Sequence, residues 1–215
     1  MALNSIDIET LDPARTIVVA TGNAHKLVEI EDILSRVLPD VTFVALGQLG
    51  DFEDPEETGT TFLENALIKA RAISKETGCL VLADDSGLEV DYMDKAPGIY
   101  SARFLGEDTS YRIKNQYIID KLAGVPDPER TARFVCAIAA VFPDGSEYTT
   151  RGTIEGIIGY EERGENGFGY DPIFFLPEKG KTTAELDPEE KNDISHRGNA
   201  LRLMKDVIRK HRENN

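Results

Sequence analysis

The stretch that most constrains the fold is Leu80-Val-Leu-Ala-Asp84-Asp85-Ser86-Gly87, in which an apolar run meets two acids. A short apolar run that stops at acidic residues predicts a buried strand whose end reaches solvent. In open α/β sheets, ligands bind beyond the carboxyl ends of the strands. Two adjacent carboxylates repel each other there, and a bound cation relieves that repulsion. Because Asp, Ser and Gly also favour turns, this stretch alone leaves a cation site and a turn open.

Length and composition indicate one domain, or one domain with two lobes. The 215 residues are 40% hydrophobic and 29% charged, which is typical of soluble globular proteins. No apolar run approaches the roughly 20 residues of a membrane span, so we expect no membrane partner. The formal net charge of −15 argues against general binding to nucleic acid. A small anionic substrate is compatible with that charge if a metal and local lysines or arginines meet it.

The start of the chain and its cysteines indicate a cytoplasmic protein. Residues 1–15 are acidic and polar, unlike a signal peptide, and we expect a flexible extension before a single domain over residues 16–215. Cys79 and Cys136 each lie in an apolar, strand-like run. Such positions favour buried free thiols in a reducing compartment over a disulfide or a metal pair.

The first half of the chain alternates strands and helices. Thr16–Ala20 and Val41–Leu46 are predicted strands, and the segment between them is a predicted helix. A second helix begins at a capping box formed by Thr61 and Glu64 and ends at Gly78. Strand–helix–strand order, twice over, predicts a partly parallel sheet. The apolar face of the first helix comprises Leu27, Ile30, Ile33, Leu34, Val37 and Leu38, and that of the second comprises Phe62, Ala66, Ala70 and Ile73.

The turn after the first strand is a candidate anion site. It runs from Thr21 through Gly22 and Asn23 to Lys26, where the first helix begins. At such a junction free amides and the positive end of the helix dipole face a ligand, and Lys26 adds a formal charge. The spacing differs from a P-loop, which needs a longer glycine-rich loop before Lys-Ser/Thr. An ordinary strand–turn–helix junction with a solvated lysine is the alternative.

The second half of the chain adds antiparallel pairing, which makes the predicted sheet mixed. An alternating strand is predicted over Gly87–Tyr92 and a helix from about Thr109 to Leu122. Ala132–Phe142 and Glu147–Ile158 flank Pro-Asp-Gly-Ser, which is a hairpin signal. A closing helix has Leu201, Met204, Val207 and Ile208 on its core face.

A glycine-rich loop, Gly164–Pro172, carries two aromatic residues and an acid. Glycines let the backbone approach a ligand closely, and an aromatic side chain between them can stack on a nucleobase. A flexible turn before a strand over Ile173–Leu176 is the alternative. Arg103, among small and aromatic residues, is either a buried phosphate clamp or a structural arginine.

Several short segments together make the sequence resemble the inosine/xanthosine triphosphate pyrophosphatases, a family that clears non-standard purine nucleotides. The resemblance extends from about Ile17 to Val207, and only the N-terminal extension departs from it. Each segment is weak evidence alone, but their shared order along the chain is specific. The segments are Thr21-Gly22-Asn23 with Lys26, Glu56-Glu57-Thr58-Gly59, Phe62-Leu63-Glu64-Asn65-Ala66, Ala83-Asp84-Asp85-Ser86-Gly87-Leu88, Ala96-Pro97-Gly98-Ile99-Tyr100-Ser101-Ala102-Arg103, Phe168-Gly169-Tyr170-Asp171-Pro172 and Ser195-His196-Arg197-Gly198.

The resemblance implies an α/β fold with a mixed, elongated central β-sheet flanked by helices, in two lobes with a nucleotide cleft between them. It implies Mg²⁺-dependent hydrolysis of a purine nucleoside triphosphate to the monophosphate and pyrophosphate, usually by a homodimer. The general base of the family falls on Asp85, and its metal carboxylates fall on Asp85, Glu56 and Glu57. The triphosphate contacts fall on Thr21, Gly22, Asn23, Ala24, His25 and Lys26, with Ser86 adjoining. The base contacts fall on Phe168, Gly169, Tyr170, Asp171, Lys191, His196 and Arg197.

These residue types suit that chemistry. Hard carboxylate oxygens hold Mg²⁺, and Asp85 beside the metal can take a proton from water, while Asp84 and the glutamates raise its proton affinity. Lys26 can neutralise the departing pyrophosphate. Lys191 and Arg197 only donate hydrogen bonds, so they favour the 6-keto group of inosine and xanthosine over the 6-amino group of adenosine. Guanine is also 6-keto, so its exclusion must depend on its 2-amino group.

Two other classes of protein remain open on the sequence. A haloacid-dehalogenase-like phosphatase uses a strand-end Asp as a nucleophile, but its second Asp would have to stand at position 86 or 87, which hold Ser86 and Gly87. A non-catalytic purine nucleotide sensor would bind the same ligand without turnover.

Overall fold

The computed structural model describes residues 6–36, 38–49 and 55–214. Within them, a seven-stranded sheet is accompanied by five α-helices. The strands are β1 (Thr16–Ala20), β2 (Thr42–Ala45), β3 (Leu80–Val90), β4 (Thr131–Val141), β5 (Glu147–Ile158), β6 (Phe174–Leu176) and β7 (Lys181–Thr182). The helices are α1 (Ala24–Ser35), α2 (Phe62–Thr77), α3 (Tyr111–Lys121), α4 (Pro188–Ile194) and α5 (His196–Asn214).

The sheet is mixed, as the sequence predicts. Its strand order is β2-β1-β3-β4-β5-β6-β7. Strand β1 is parallel to both β2 and β3, because α1 and α2 provide the crossovers that parallel strands need. Strand β6 is antiparallel to β5 and β7. The predicted bounds of β1, β4 and β5 agree with the structure to within one residue.

The strand that contains the two acids differs from its prediction. Strand β3 does not stop at Asp84 and Asp85 but continues through them to Val90, and it includes the start of the separate strand predicted from Gly87. Both acids are buried, with exposed fractions of 1% and 6%. A strand can contain buried acids where cations and hydrogen-bond donors compensate the charge of their carboxylates. The residues that compensate Asp84 and Asp85 come from other parts of the chain.

The first two helices begin at side-chain caps. Asn23 caps α1, and Ile30 and Leu34 form its buried stripe. The capping box of Thr61 and Glu64 at the start of α2 is confirmed, as is the left-handed Gly78 at its end, with φ of +63°. Val37, predicted on the apolar face of α1, lies outside the described residues.

Helix α4 is absent from the sequence prediction. It is seven residues long and begins after Asp187, whose carboxylate accepts a hydrogen bond from the Glu190 amide at 2.8 Å. Pro188 occupies the first helical position, where the missing N–H costs nothing. The helix carries Lys191, one of the predicted base contacts.

The chain divides into two compact units. The first unit contains the chain up to Asp85, residues 136–151 and residues 197–215. Its apolar clusters contain both cysteines, which are buried and free, as predicted. The second unit contains residues 86–135 and 152–196, with its own core around Leu88, Ile118 and Phe174. None of the described helices is long and apolar enough to cross a membrane.

Candidate active site

Asp84 is the centre of a buried charge network in the first unit. Its Oδ1 lies 2.6 Å from Lys26 Nζ, and its Oδ2 lies 3.0 Å from Arg197 Nε. The Cys136 thiol also donates to Oδ2, at 2.9 Å. Burial opposes ionisation here, but the charges of Arg197 and Lys26 hold the pKa of Asp84 well below its usual value. Asp84 is therefore a fixed anion that anchors two cations.

Arg197 is the more deeply buried of these two cations, with 1% of its side chain exposed. Its Nη1 forms an ion pair with Glu29 of α1, so that two of its nitrogens bind carboxylates. Burial lowers the pKa of the guanidinium, but Asp84 and Glu29 outweigh burial and raise it. The structure thus gives Arg197 an electrostatic role within the first unit. Its contact with a purine stays a prediction.

Asp85, the next residue along β3, has a different environment. Its Oδ2 is buried and has no hydrogen-bond partner among the described residues, and its Oδ1 lies 3.9 Å from Lys69 Nζ. Burial, together with the negative charge of Glu57, raises the pKa of Asp85 to about 6, although Lys69, Lys26 and the Asn65 amide limit the rise. A carboxyl that titrates near neutrality is suited to accept a proton during catalysis.

Lys69 of α2, which is not among the residues predicted from the sequence, joins the acids of this site. Its Nζ donates to Glu57 Oε1 at 2.7 Å and to the Asp84 carbonyl at 3.0 Å. Burial lowers the pKa of Lys69, but the charges of Asp85 and Glu57 outweigh burial and raise it. A sequence signal exists, since residue 69 falls on the same helical face as Phe62, Ala66 and Ile73. A lysine on an apolar face needs an anionic partner.

The carboxylates of Glu57 and Asp85 fit a hard divalent cation. Both approach Lys69, and the unpartnered Asp85 Oδ2 is a buried oxygen available as a ligand. Oxygen donors are the ligands that Mg²⁺ prefers, and this ion usually keeps several waters beside one or two carboxylates. Within the described ranges, no group of three or more His, Cys, Asp or Glu residues is spaced to hold a metal. Glu56, the third predicted ligand, is exposed.

The turn from Thr21 to Lys26 is tightly hydrogen bonded. The Asn23 amide donates to Thr21 Oγ1 at 3.1 Å, and Asn23 Oδ1 accepts from the amides of His25 and Lys26 at 3.0 and 3.4 Å. The sequence predicts free amides at this helix start, and for His25 and Lys26 that prediction is wrong. Gly22, Ala24 and His25 are exposed. Lys26, bound to Asp84, is the charged group of the turn.

In the second unit, two predicted base-contacting residues, Lys191 and Phe168, bind a third, Asp171. Its Oδ2 accepts hydrogen bonds from Lys191 Nζ at 2.7 Å and from the Phe168 amide at 2.8 Å. Its Oδ1 accepts from Thr183 Oγ1 at 2.8 Å. Lys191 Nζ also lies 4.9 Å from the centre of the Phe168 ring. Gly167 adopts φ of +73°, and a Cβ there would come within 2.2 Å of Asp171, so the loop needs glycine at this position.

Helix α3 supports the same loop from one side. Asn115 donates to the Gly169 carbonyl at 3.2 Å. The Tyr111 and Tyr170 rings pack edge to face with centres 5.2 Å apart. Tyr170 is buried, and its hydroxyl donates to the Ser101 carbonyl at 2.8 Å. This arrangement gives the Tyr170 side chain a supporting role, and its contact with substrate stays a prediction.

The remaining predicted residues are His196, Ser86 and Gly169. The His196 ring is buried and stacks on Phe134, with centres 4.9 Å apart and planes 17° apart. Ser86 directly follows Asp85 in β3 and is half-buried. Gly169 adopts φ of +67°, which explains why glycine stands between two aromatic residues. Their contacts with substrate stay predictions.

Comparison with known proteins gives one consistent result. The model of the Ham1 family matches residues 17–207. A protein of Exiguobacterium sibiricum named dITP/XTP pyrophosphatase is 50% identical over 192 residues, which cover 89% of this chain and 96% of that protein. A Geobacter sulfurreducens protein of the same name is 51% identical over the same shares of the two chains. The solved structure of the Staphylococcus aureus Ham1 protein aligns with a TM-score of 0.82 and 41% identity, covering 92% of this chain and 100% of that one.

Proposed function

This chain belongs to the Ham1 family, and from that premise we propose that it hydrolyses non-standard purine nucleoside triphosphates. The substrates are ITP, dITP and XTP, and the products are the nucleoside monophosphate and pyrophosphate. The observation that carries the proposal is the identity of about half of the residues with named dITP/XTP pyrophosphatases over most of both chains. The activity would keep these bases out of DNA and RNA.

Asp85 is the proposed general base. Water attacks the α-phosphorus, its proton passes to the Asp85 carboxylate, and the bond to the β-phosphate oxygen breaks to release pyrophosphate. The raised pKa of Asp85, about 6, supports this role, since a base works best when its pKa is near the operating pH. Ionised Asp84 holds Lys26, whose charge suits the departing pyrophosphate.

Mg²⁺ is the proposed cofactor, held by Asp85 and Glu57 with Glu56 as the further ligand. When bound, the ion offsets the charge of the triphosphate and lowers the pKa of a bound water. Lys69 contacts the first two of these carboxylates and balances their charge. Because Lys69 belongs to a packed helix, its ion pair with Glu57 also holds the Glu57 carboxylate in position.

Base selection is proposed for the cluster around Asp171. Asp171 orients Lys191, which donates to the 6-keto group of hypoxanthine or xanthine, and Phe168 stacks on the ring. Arg197 is the second proposed donor at the base, and Gly169, Tyr170 and His196 are the other proposed base contacts. The amino group of adenine cannot accept from such donors, so dATP is disfavoured.

The remaining parts of the proposal concern assembly and location. We propose a homodimer that acts in the cytoplasm and binds neither nucleic acid nor membranes. The net charge of −15 supports the exclusion of nucleic acid, because phosphate backbones attract basic surfaces. Light scattering coupled to size-exclusion chromatography tests the dimer.

A panel of nucleoside triphosphates with product identification tests the function. The purified protein is incubated with ITP, dITP, XTP, dATP or dGTP in Mg²⁺, free of inorganic pyrophosphatase, and the products are separated by ion chromatography. We expect pyrophosphate from the first three nucleotides, and none when EDTA replaces Mg²⁺. Orthophosphate as the sole primary product, with a trapped acyl-phosphate, would instead indicate an aspartyl-phosphate mechanism. Nucleotide recovered intact would indicate a sensor.

A further inference from the structure

Helix α2 carries a buried amide that the proposed function does not use. Asn65 has no exposed surface. Its Oδ1 accepts a hydrogen bond from the Gly59 amide at 2.8 Å, while its Nδ2 has no hydrogen-bond partner among the described residues. Because a buried donor without an acceptor is costly, such an atom in a folded protein calls for an explanation.

The complementary atom belongs to Asp85, whose Oδ2 is a buried acceptor that also lacks a partner within the described residues. Asn65 stands one helical turn before Lys69 on α2, and Lys69 Nζ lies 3.9 Å from Asp85 Oδ1. The Asn65 amide is also one of the groups that lower the pKa of Asp85. An unsatisfied donor and an unsatisfied acceptor therefore both stand near Lys69 in the first unit.

The orientation of the Asn65 amide is fixed by Gly59. Only the oxygen of an amide side chain can accept from a backbone N–H, so Oδ1 faces Gly59 and Nδ2 faces away from it. The contact requires glycine, because a Cβ on residue 59 would come within 2.6 Å of Asn65 Oδ1. The Asn65 oxygen thus holds the backbone two residues after Glu57, and its nitrogen remains available as a donor.

We propose that Asn65 is a positioning residue for Asp85. Its Nδ2 donates to the Asp85 carboxylate and holds it so that one oxygen faces the attacking water while the other remains a metal ligand. Through Gly59, the same side chain keeps the segment that carries Glu57 in register with Asp85. The inference rests on the proposed function and adds a residue that the reaction needs for geometry.

Asn65→Asp is the direct test. The substitution keeps the size of the side chain and an oxygen for the Gly59 amide but replaces the donor beside Asp85 with an acceptor. We expect kcat for dITP to fall about 10- to 100-fold, the range seen when a group that orients a ligand is lost. KM should change by less than about threefold, because the triphosphate and base contacts are intact.

Glu64→Ala is the matched control on the same helix. Glu64 accepts from the amides of Thr60 and Thr61 and serves the helix cap. Its loss should lower Tm while leaving kcat within about twofold of wild type. If Asn65→Asp lowers kcat only as much as this control does, or leaves it unchanged, Asn65 is structural and the proposal is wrong.

A measurement that needs no turnover separates this inference from the proposed function. In metal-free protein, the side-chain ¹⁵N–¹H signals of Asn65 are compared between wild type and Asp85→Ala. A clear shift is expected if Nδ2 donates to Asp85, and unchanged signals would overturn the inference. If wild type released no pyrophosphate from any nucleotide, the proposed function would fail while these signals still decided the role of Asn65.

Discussion

Asp84 and Asp85 are consecutive residues of one strand, yet their carboxyl groups have opposite electrostatic properties. Cations hold the pKa of Asp84 well below its usual value, whereas burial raises the pKa of Asp85 to about 6. The difference follows from the alternation of side chains along a strand, which sends neighbours to opposite faces of the sheet. Arg197 and Lys26 meet Asp84, while Asp85 faces Lys69 and Glu57. One strand thus supplies a permanent anion and a titratable carboxyl side by side.

Asp85→Asn should abolish turnover without unfolding the protein. The amide keeps the shape of the side chain but loses the base and an anionic metal ligand, so kcat for dITP should fall about 10³-fold or more. Asp32→Asn, an exposed substitution on α1, is the control and should leave kcat unchanged. Near wild-type turnover in Asp85→Asn would contradict the assignment of the base.

The same variant should change how stability depends on pH in metal-free protein. Since the folded pKa of Asp85 is about 6, above its ordinary 3.8, its contribution to stability is complete below about pH 4 and is lost as the pH rises through 6. At pH 8 the ionised form costs up to about 3 kcal/mol, at 1.36 kcal/mol per pKa unit. Urea unfolding in EDTA should find Asp85→Asn more stable than wild type at pH 8 but not at pH 4. An equal difference at both pH values would refute the raised pKa.

Lys69→Met should impair catalysis and move its pH dependence. Lys69 is a cation that lowers the pKa of Asp85, so its removal raises that pKa further. The acidic limb of kcat/KM against pH should move upward by about one unit. Lys75→Met, at an exposed position of the same helix, should leave the profile in place. An unmoved limb in Lys69→Met would show that Lys69 does not act on the base.

Lys191→Met should narrow the preference for inosine over adenosine triphosphates. A lost charge-assisted bond to the 6-keto group costs about 1.5–3 kcal/mol, which is roughly a 10- to 150-fold loss of selectivity in kcat/KM. Lys26→Ala is the contrasting variant and should weaken both nucleotides alike, because the triphosphate is common to them. If Lys191→Met lowers kcat/KM for both nucleotides by the same factor, the proposed contact between Lys191 and the base is wrong.

Arg197→Ala should destabilise the fold. Removing one partner of a buried ion pair leaves uncompensated charge, here on Asp84 and Glu29, and such losses cost about 3–5 kcal/mol in the free energy of unfolding. Arg209→Ala, an exposed control on the same helix, should change the free energy of unfolding by less than about 0.5 kcal/mol. The selectivity of Arg197→Ala also tests the predicted contact between Arg197 and the base. It is measured as the ratio of kcat/KM for dITP to that for dATP, at a temperature below the lowered Tm. A stability loss under about 1 kcal/mol would contradict the charge network.

The elements predicted correctly depend on signals close together in the sequence. The capping box of Thr61 and Glu64 spans four residues, and the left-handed Gly78 follows its helix directly. Strand β1 is an unbroken run of buried residues. The mixed pairing followed from the succession of these elements, because crossovers and hairpins restrict how strands can join.

The errors and omissions concern polar groups inside the protein. The predicted end of β3 at Asp84 assumed that acids must reach solvent, and the expected free amides of His25 and Lys26 ignored the Asn23 side chain. Lys69 was not predicted, and Asn65 was named only within a family segment and given no role. Both stand among apolar residues of α2, where a helical pattern is judged by its hydrophobic positions.

The sequence by itself determined the order of most strands and helices, the caps of α2 and the residue types of the candidate site, since periodicity and capping act over a few residues. Only the tertiary structure decided which charges are paired. Arg197 stands 113 positions after Asp84, yet the two form a buried ion pair. The pKa of a buried carboxyl depends on the solvent it loses and on charges within a few ångströms. Those charges come from remote parts of the chain, so the division of roles between Asp84 and Asp85 is a property of the fold.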